Sequence, residues 1–434
     1  MTGALRNILL FGLMGAALVM TGVYQSPTLA LTILNMCLIS AIMALGVNIQ
    51  WGYAGLFNVG VVGFTAIGGL AAVLIAMPPV PDAWAAGGPA ALLGVLLGAA
   101  TVVAAVVVWQ RMPPGRLRVV MMVAVLIAGY TITRYIFGPA TTAITRVNPA
   151  TEGYLGGLGL PVILSWPVGA VMAAGLAWLV ARVALGLRSD YLAIATLGIG
   201  EIVIAVLKFE GWLTRGVNNV VGIPRAVPRP VELQTRDWVV ALSERTGMTL
   251  QETARIVELL GYAALFVIVL AVLIWLSEMA LNSPWGRMMR AIRDNETAAR
   301  AMGKDVTRRH RMIFVLGSAV CGMAGAMLVT LDGQLTPGSY EPLRFTFLIW
   351  VMVIVGGSGN NWGAVLGGMV IWFLWVQAEP AGRWMIDVLT SGLGADSGLR
   401  AHLMAQAAHT RLIMMGLALL LMLRFAPRGL IPER

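Results

Sequence analysis

Residues 345–376 read FTFLIWVMVIVGGSGNNWGAVLGGMVIWFLWV. The stretch is apolar almost throughout and longer than the roughly 20 residues that carry a helix across a bilayer. It is interrupted by Gly356-Gly357-Ser358-Gly359-Asn360-Asn361. Glycine and asparagine in succession stop a helix and turn the chain, so the stretch is read as two short helices, or a re-entrant pair, meeting at that turn. Broken helices of this kind are tolerated in lipid only where neighbouring protein groups satisfy the freed backbone.

The rest of the chain asks for the same solvent. Of 434 residues, 59% are apolar and only 12% charged, with a mean hydropathy of +0.83. Soluble chains carry about 25% charged residues, so an ordinary water-soluble enzyme is excluded. Further apolar runs lie at 8–23, 28–47, 58–77, 90–109, 118–137, 161–181, 192–207, 260–281, 312–331 and 411–424. The fold expected is an all-α integral membrane protein, a polytopic bundle of about 10–12 transmembrane helices with Gly-broken or re-entrant segments. Residues 1–434 are read as one transmembrane domain. One arginine precedes the first run and no small-residue cleavage site follows it, which favours a retained helix over a signal peptide. Cys37 and Cys321 sit far apart in apolar runs and read as small hydrophobes.

Charge orients the stack. From Arg287 to Arg311 eight bases (Arg287, Arg290, Arg293, Arg300, Lys304, Arg308, Arg309, Arg311) face three acids (Asp294, Glu296, Asp305), which places 282–311 in the cytoplasm. Alternation then puts Arg111, Arg116 and Arg118, and Arg182 and Arg188, on the same side, and the charge-balanced segment 209–259 in the periplasm. The tail with Arg424 and Arg428 also falls inside if 345–376 crosses twice, so both termini are expected in the cytoplasm. The excess of 30 basic over 20 acidic residues is thus a matter of orientation in a membrane, not nucleic-acid binding.

Chemistry is conspicuously missing from the sequence. His310, His402 and His409 form no metal-ligand spacing. The lysines, Lys208 and Lys304, lie in no phosphate-binding loop, so any nucleotide motor must reside on another subunit. No catalytic residue, metal or cofactor is expected. Glycines at 60, 63, 68 and 69, and the pairs Gly94/Gly98 and Gly363/Gly367, suit close helix packing. The Gly/Asn turns near 52–60 and 356–363 are faintly alike.

Two places carry candidate function. In SPWGRMMRAIRDNETAARAMGKDVTRRHRM, from Ser283, Asp294 can cap a short helix over 295–302, Glu296 can pair with Arg300, and Gly303 can end the turn. Ala298, Ala299 and Met302, with Ile292 just before, give it a small apolar face. Such a face suits either a groove on a partner protein or the surface of anionic lipid. The second place is Glu201, an acid about ten residues, or about 15 Å, beyond Asp190 within a span. A carboxylate there is expected to face the bundle interior, a cavity or a partner. It either locks two helices together or meets a passing solute. Thr196 on the same helix, and Asn48 and Asn58 flanking the Gly52/Gly55 turn, are further candidates for the substrate pathway, though the two asparagines can equally satisfy unwound backbone.

The motif Glu-x-Ala-Ala-x-x-x-Gly at Glu296, Ala298, Ala299 and Gly303 resembles the ATPase-coupling loop of ABC-importer permeases, in particular the M-type permease subunit of branched-chain amino-acid importers. GVNIQWGYAGLFNVGVVGFTAIGG (46–69), LRSDYLAIATLGIGEIV (187–203) and VIVGGSGNNWGAVLGG (353–368) with APRGLIP (426–432) resemble other segments of that family in the same order. The resemblance implies a permease that moves a branched-chain amino acid or related small polar solute inward. Its partners would be a second homologous permease, two cytoplasmic ATP-binding subunits and a periplasmic solute-binding protein, with Glu296, Ala298, Ala299, Arg300 and Gly303 docking the ATPase. An ion-gradient-driven secondary transporter is the alternative. Two features depart from the family. Its Thr-Gly-Gly-Pro-Asn-Gly loop is TRGVNN here, with Arg215, Val217 and Asn219 in unexpected places, and 78–160 is longer, apparently by two spans near 90–109 and 118–137.

Overall fold

The structure, a computed structural model, describes residues 3–149, 151–391 and 397–433. Helices α1 (Gly3–Tyr24), α2 (Pro27–Ala54), α3 (Val61–Ala76), α4 (Pro81–Arg111), α5 (Arg116–Arg146), α6 (Ser165–Ala184) and α7 (Ser189–Phe209) lead into a segment with three short helices, α8 (Gly211–Thr214), α9 (Pro230–Leu233) and α10 (Asp237–Thr246). Then come α11 (Leu250–Asn282), α12 (Pro284–Asp294), α13 (Glu296–Ala301), α14 (Val306–Asp332), α15 (Pro342–Gly356), α16 (Asn361–Leu389), α17 (Gly398–Ala405) and α18 (Thr410–Phe425). Among the described residues ten helices are long and apolar enough to cross a membrane, and α3 and α15 are shorter apolar helices. The polytopic all-α expectation holds. The long stretch 345–376 is two helices, α15 and α16, on either side of a Gly/Asn turn.

Two boundaries differ from the sequence reading. α11 begins at Leu250, ten residues ahead of its apolar run, because Thr249 and Glu252 form a reciprocal capping box there. Part of the segment taken as loop is therefore helix, and Glu258, counted there among loop acids, is a buried side chain paired with Arg225 and Arg255. The second difference is α12, an additional helix ahead of the expected one. Gly286, Met289 and Ile292 recur every third residue and are buried, while Arg287, Arg290 and Arg293 stay exposed or half-exposed.

α2 and α14 form the centre. α2 is buried along most of its length and packs on α11, α14, α15 and α16; α14 packs on α2, α3 and α6. Small residues make this approach possible, since lipid provides no hydrophobic drive between helices. A Cβ on Gly68 would lie 1.8 Å from the Gly322 carbonyl oxygen, and one on Gly325 1.9 Å from that of Thr65. Cys37 and Cys321 are buried free thiols within this packing.

α4 and α5, the two spans over which 78–160 is read as lengthened, pack chiefly on each other. They are pinned to the bundle at one end. Pro79 and Gly156 form an antiparallel bridge, Trp84 Nε1 donates to the Leu155 carbonyl at 2.9 Å, and the Phe137 and Trp212 rings meet edge to face at 5.5 Å. Elsewhere this hairpin presents exposed apolar side chains such as Leu96, Val103, Leu117 and Ile127. At the opposite end of the bundle, α12, α13 and the α6–α7 turn adjoin the chain's two ends: Asn7 and Glu433 line one cavity of about 460 Å³ with Asn360 and Asn361.

Candidate functional site

Two helix breaks meet at this arginine-rich end. The first follows α2, which stops at Gly55 in the left-handed region (φ 68°), with the Leu56 N–H returning to the Gln50 carbonyl. Residues 55–60 run without helix before α3. The second lies between α15 and α16, where Gly357 and Gly359 take φ of 114° and 83° and Asn360 caps α16 by accepting from the Gly363 N–H at 3.2 Å.

The breaks satisfy one another's backbone. Asn48 Oδ1 accepts from the Gly359 N–H at 2.8 Å and its Nδ2 donates to Asn361 Oδ1 at 3.2 Å. Tyr53 also donates to Asn361 Oδ1, and Asn361 Nδ2 donates to Glu278 Oε1 at 3.1 Å. In the first break, Asn58 Oδ1 accepts from the Gly60 N–H at 3.0 Å and its Nδ2 donates to Gln50 Oε1 at 2.9 Å. Gln50 Nε2 reaches the Phe314 carbonyl and Ser318 Oγ on α14, each at 2.9 Å. Trp350 Nε1 donates to the Asn58 carbonyl at 3.0 Å. Such closure is what lets irregular backbone persist in an apolar bundle.

Of the residues singled out in the sequence, Asn48, Asn58 and Thr196 enter this network. Thr196 Oγ1 accepts from the Val59 N–H at 3.1 Å and donates to the Ala193 carbonyl at 3.0 Å, fastening the first break to α7. Glu201 does not join them. The expectation that it faces the interior of the bundle is corrected: α7 turns Thr196, Gly200, Val203, Ile204 and Leu207 inward and leaves Glu201 exposed beside Ile194 and Ile202. The cause is Gly200, which lies against Gly60; one residue further on, about 100° round the helix, Glu201 points away. Gln50, Tyr53, Glu278 and Asn361 were missed. A polar residue inside an apolar run, next to each Gly/Asn turn, was the available signal.

α13 carries the Glu-x-Ala-Ala-x-x-x-Gly motif. Its N-cap is Asn295, which accepts from the Ala298 N–H at 2.9 Å, and not Asp294, which ends α12. Glu296 and Arg300 pair at 2.6 Å, and Gly303 takes φ 73° to leave the helix. Ala298 and Met302 are exposed and Ala299 is half-buried, whereas Ile292, expected on the same face, is buried in the core beneath α12. The exposed apolar patch is smaller than the sequence suggested. A cavity of about 410 Å³ separates α13 from the first break, bordered by Phe57, Arg188, Arg293, Glu296, Arg300 and His310. Arg293, at the end of α12, donates to the Gly52 carbonyl at the end of α2 and pairs with Glu433 at 2.9 Å and Asp294 at 3.4 Å. Burial works against its charge, but the Glu433 and Asp294 carboxylates outweigh this and hold its pKa above the usual arginine value.

No group of three or more His, Cys, Asp or Glu among the described residues could hold a metal ion.

A family model for the permease component of branched-chain amino acid transport systems matches residues 29–154 and 133–423. The chain is similar to the probable branched-chain amino acid transport permease protein LivM of Methanocaldococcus jannaschii, 27% identical over 303 residues that cover 68% of this chain and 74% of the relative. It is similar also to the high-affinity branched-chain amino acid transport system permease protein LivM of Escherichia coli, 30% identical over 219 residues and half of each chain. A third relative, the LivH permease protein of Salmonella typhimurium, is 23% identical over 43% of this chain and 65% of its own. No solved structure matches the chain.

Proposed function

The chain belongs to the family of branched-chain amino acid transport permease components, and from that premise we propose that it is the membrane-embedded permease subunit of an ABC importer carrying branched-chain amino acids, or a related small polar solute, into the cytoplasm. The arginine-rich end faces the cytoplasm with both termini, and the segment between α7 and α11 faces the periplasm. ATP is hydrolysed on two separate cytoplasmic subunits. A second homologous permease completes the membrane part, and a periplasmic binding protein delivers the solute.

The observation that carries this reading is the placement of two broken helices directly against α12, with α13 facing the first of them across the cavity of about 410 Å³. In the proposed cycle, Glu296, Ala298, Ala299, Arg300 and Gly303 seat an ATPase subunit. Its closure pushes α12 and α13 against the breaks, where helices already lack continuous backbone bonds and bend most easily. Glu201, on the outward face of α7, lines the solute path together with the second permease; a carboxylate left facing lipid would be costly. Thr196, Asn48 and Asn58 shape the pathway wall by holding the first break.

Reconstitution of the four protein types in proteoliposomes tests this. Uptake of labelled leucine, isoleucine or valine is expected to require ATP and all components, and to fall at least tenfold with Glu296→Lys. Uptake by this chain alone under a proton or sodium gradient would overturn the reading.

A further inference from the structure

From α12, Arg293 reaches both breaks. Its guanidinium donates to the Gly52 carbonyl, one of the carbonyls left without an intrahelical partner at the end of α2. Glu433 is held by both terminal nitrogens, Nη2 at 3.2 Å from Oε1 and Nη1, the same nitrogen that reaches Gly52, at 2.9 Å from Oε2. Glu433 in turn lies against the second break: a Cβ on Gly359 would fall 2.6 Å from Glu433 Oε2 and 3.3 Å from Arg293 Nη1. The breaks themselves touch at the same place, since a Cβ on Gly52 would lie 2.5 Å from the Gly359 nitrogen. The tail that carries Glu433 is strapped to α15 by the Leu430 and Ile431 N–H groups, each 2.9 Å from the Val355 or Gly356 carbonyl. One residue before Arg293, Ile292 is buried in the core, so α12 cannot slide without dragging this contact.

We propose that Arg293 is a positioning residue that transmits displacement of α12 and α13 to both helix breaks at once, with Glu433 holding its guanidinium in register. A planar fork serves two partners at fixed angles, whereas a lysine ammonium delivers the same charge to one point. Loss of the fork therefore uncouples the breaks from the docking helices without removing the docking helices. The proposal rests on the reading of α13 as an ATPase seat, and its test separates the two.

The complete importer is reconstituted with Arg293→Gln, Arg293→Lys or Glu433→Gln, and three quantities are read: ATPase subunits retained on purification, ATP hydrolysed, and solute moved per ATP. Retention of the ATPases is expected in every variant. Solute moved per ATP should drop at least tenfold in Arg293→Gln, nearly as far in Arg293→Lys, and about threefold in Glu433→Gln, while hydrolysis continues. In parallel, spin labels at Thr297→Cys, exposed on α13, and Phe57→Cys report the two ends of the linkage; with Arg293→Gln the ATP-driven shift should persist at 297 and vanish at 57. Full rescue by lysine, an undiminished shift at 57, or equal losses of transport and hydrolysis would overturn the proposal. Should Arg293→Gln not fold, Glu433→Gln decides alone by the same ratio. Failure of the unaltered chain to retain ATPase subunits would instead strike at the docking reading.

Discussion

Asn219 shows what a single residue can store. Together with Arg215 it occupies a place where the related loop carries glycine, and both keep the backbone of a glycine, with φ of 51° and 57°. Asn219, with ψ near 145°, lies in a region almost reserved for glycine, at a cost of about 1–3 kcal/mol. Arg215 offsets part of this by donating from Nη1 to the Asn219 carbonyl at 3.0 Å. Asn219→Gly is therefore expected to stabilise the folded chain by about 1 kcal/mol after the added freedom of the unfolded glycine is counted, read as a raised melting temperature in detergent. The departure from the family pattern was legible in the sequence; the glycine-like backbone was not, since only φ angles reveal it. Glu201 gives a contrasting test. Being exposed on α7, Glu201→Gln should leave thermal stability of the isolated chain within about 0.5 kcal/mol while lowering transport by the assembled importer severalfold. A large loss of stability with transport per folded molecule intact would assign it a purely structural role.

Among the elements, the broken stretch around Gly356–Asn361 was readable because glycine and asparagine interrupt an apolar run. That this break rests on the one after α2 was not readable, because the Asn48–Asn361 contact joins residues 313 positions apart. α12 was hidden for a different reason. Its three buried positions are a glycine, a methionine and an isoleucine among three arginines, and composition masks the period. The start of α11 was hidden because its first turns, QETARIVELL, are polar enough to pass for loop. α13 is separable from the core by mutation. A Cβ on Gly303 would meet nothing within 4 Å, yet its φ is 73°, so Gly303→Val pays only backbone strain of about 1–2 kcal/mol, confined to the end of α13. Membrane insertion should be normal, and transport-stimulated ATP hydrolysis should fall at least fivefold; unchanged hydrolysis in the assembled importer would remove α13 as the docking element.

On the scale of the whole molecule, the additional hairpin is an appendage with a narrow neck. Because α4 and α5 pack chiefly on each other and Pro79 already bridges to Gly156, residues 81–153 can be excised and the cut ends joined by a short glycine linker. An even number of crossings is removed, so a reporter fused to the C-terminus should stay on the same side of the membrane, and the shortened chain should still insert and assemble. Reversal of the reporter would show that the hairpin does not cross twice. α11, by contrast, cannot be shortened. It runs unbroken for 33 residues, about 50 Å, and carries the buried Glu258, clasped by Arg225 and Arg255, and, about 30 Å further along, Glu278, which meets Asn361. Its two ends are thus phased like teeth on a single shaft. One alanine inserted between Val267 and Ile268, where both side chains are exposed, would rotate the far end by about 100°, and the bundle could then mesh with either glutamate, never with both.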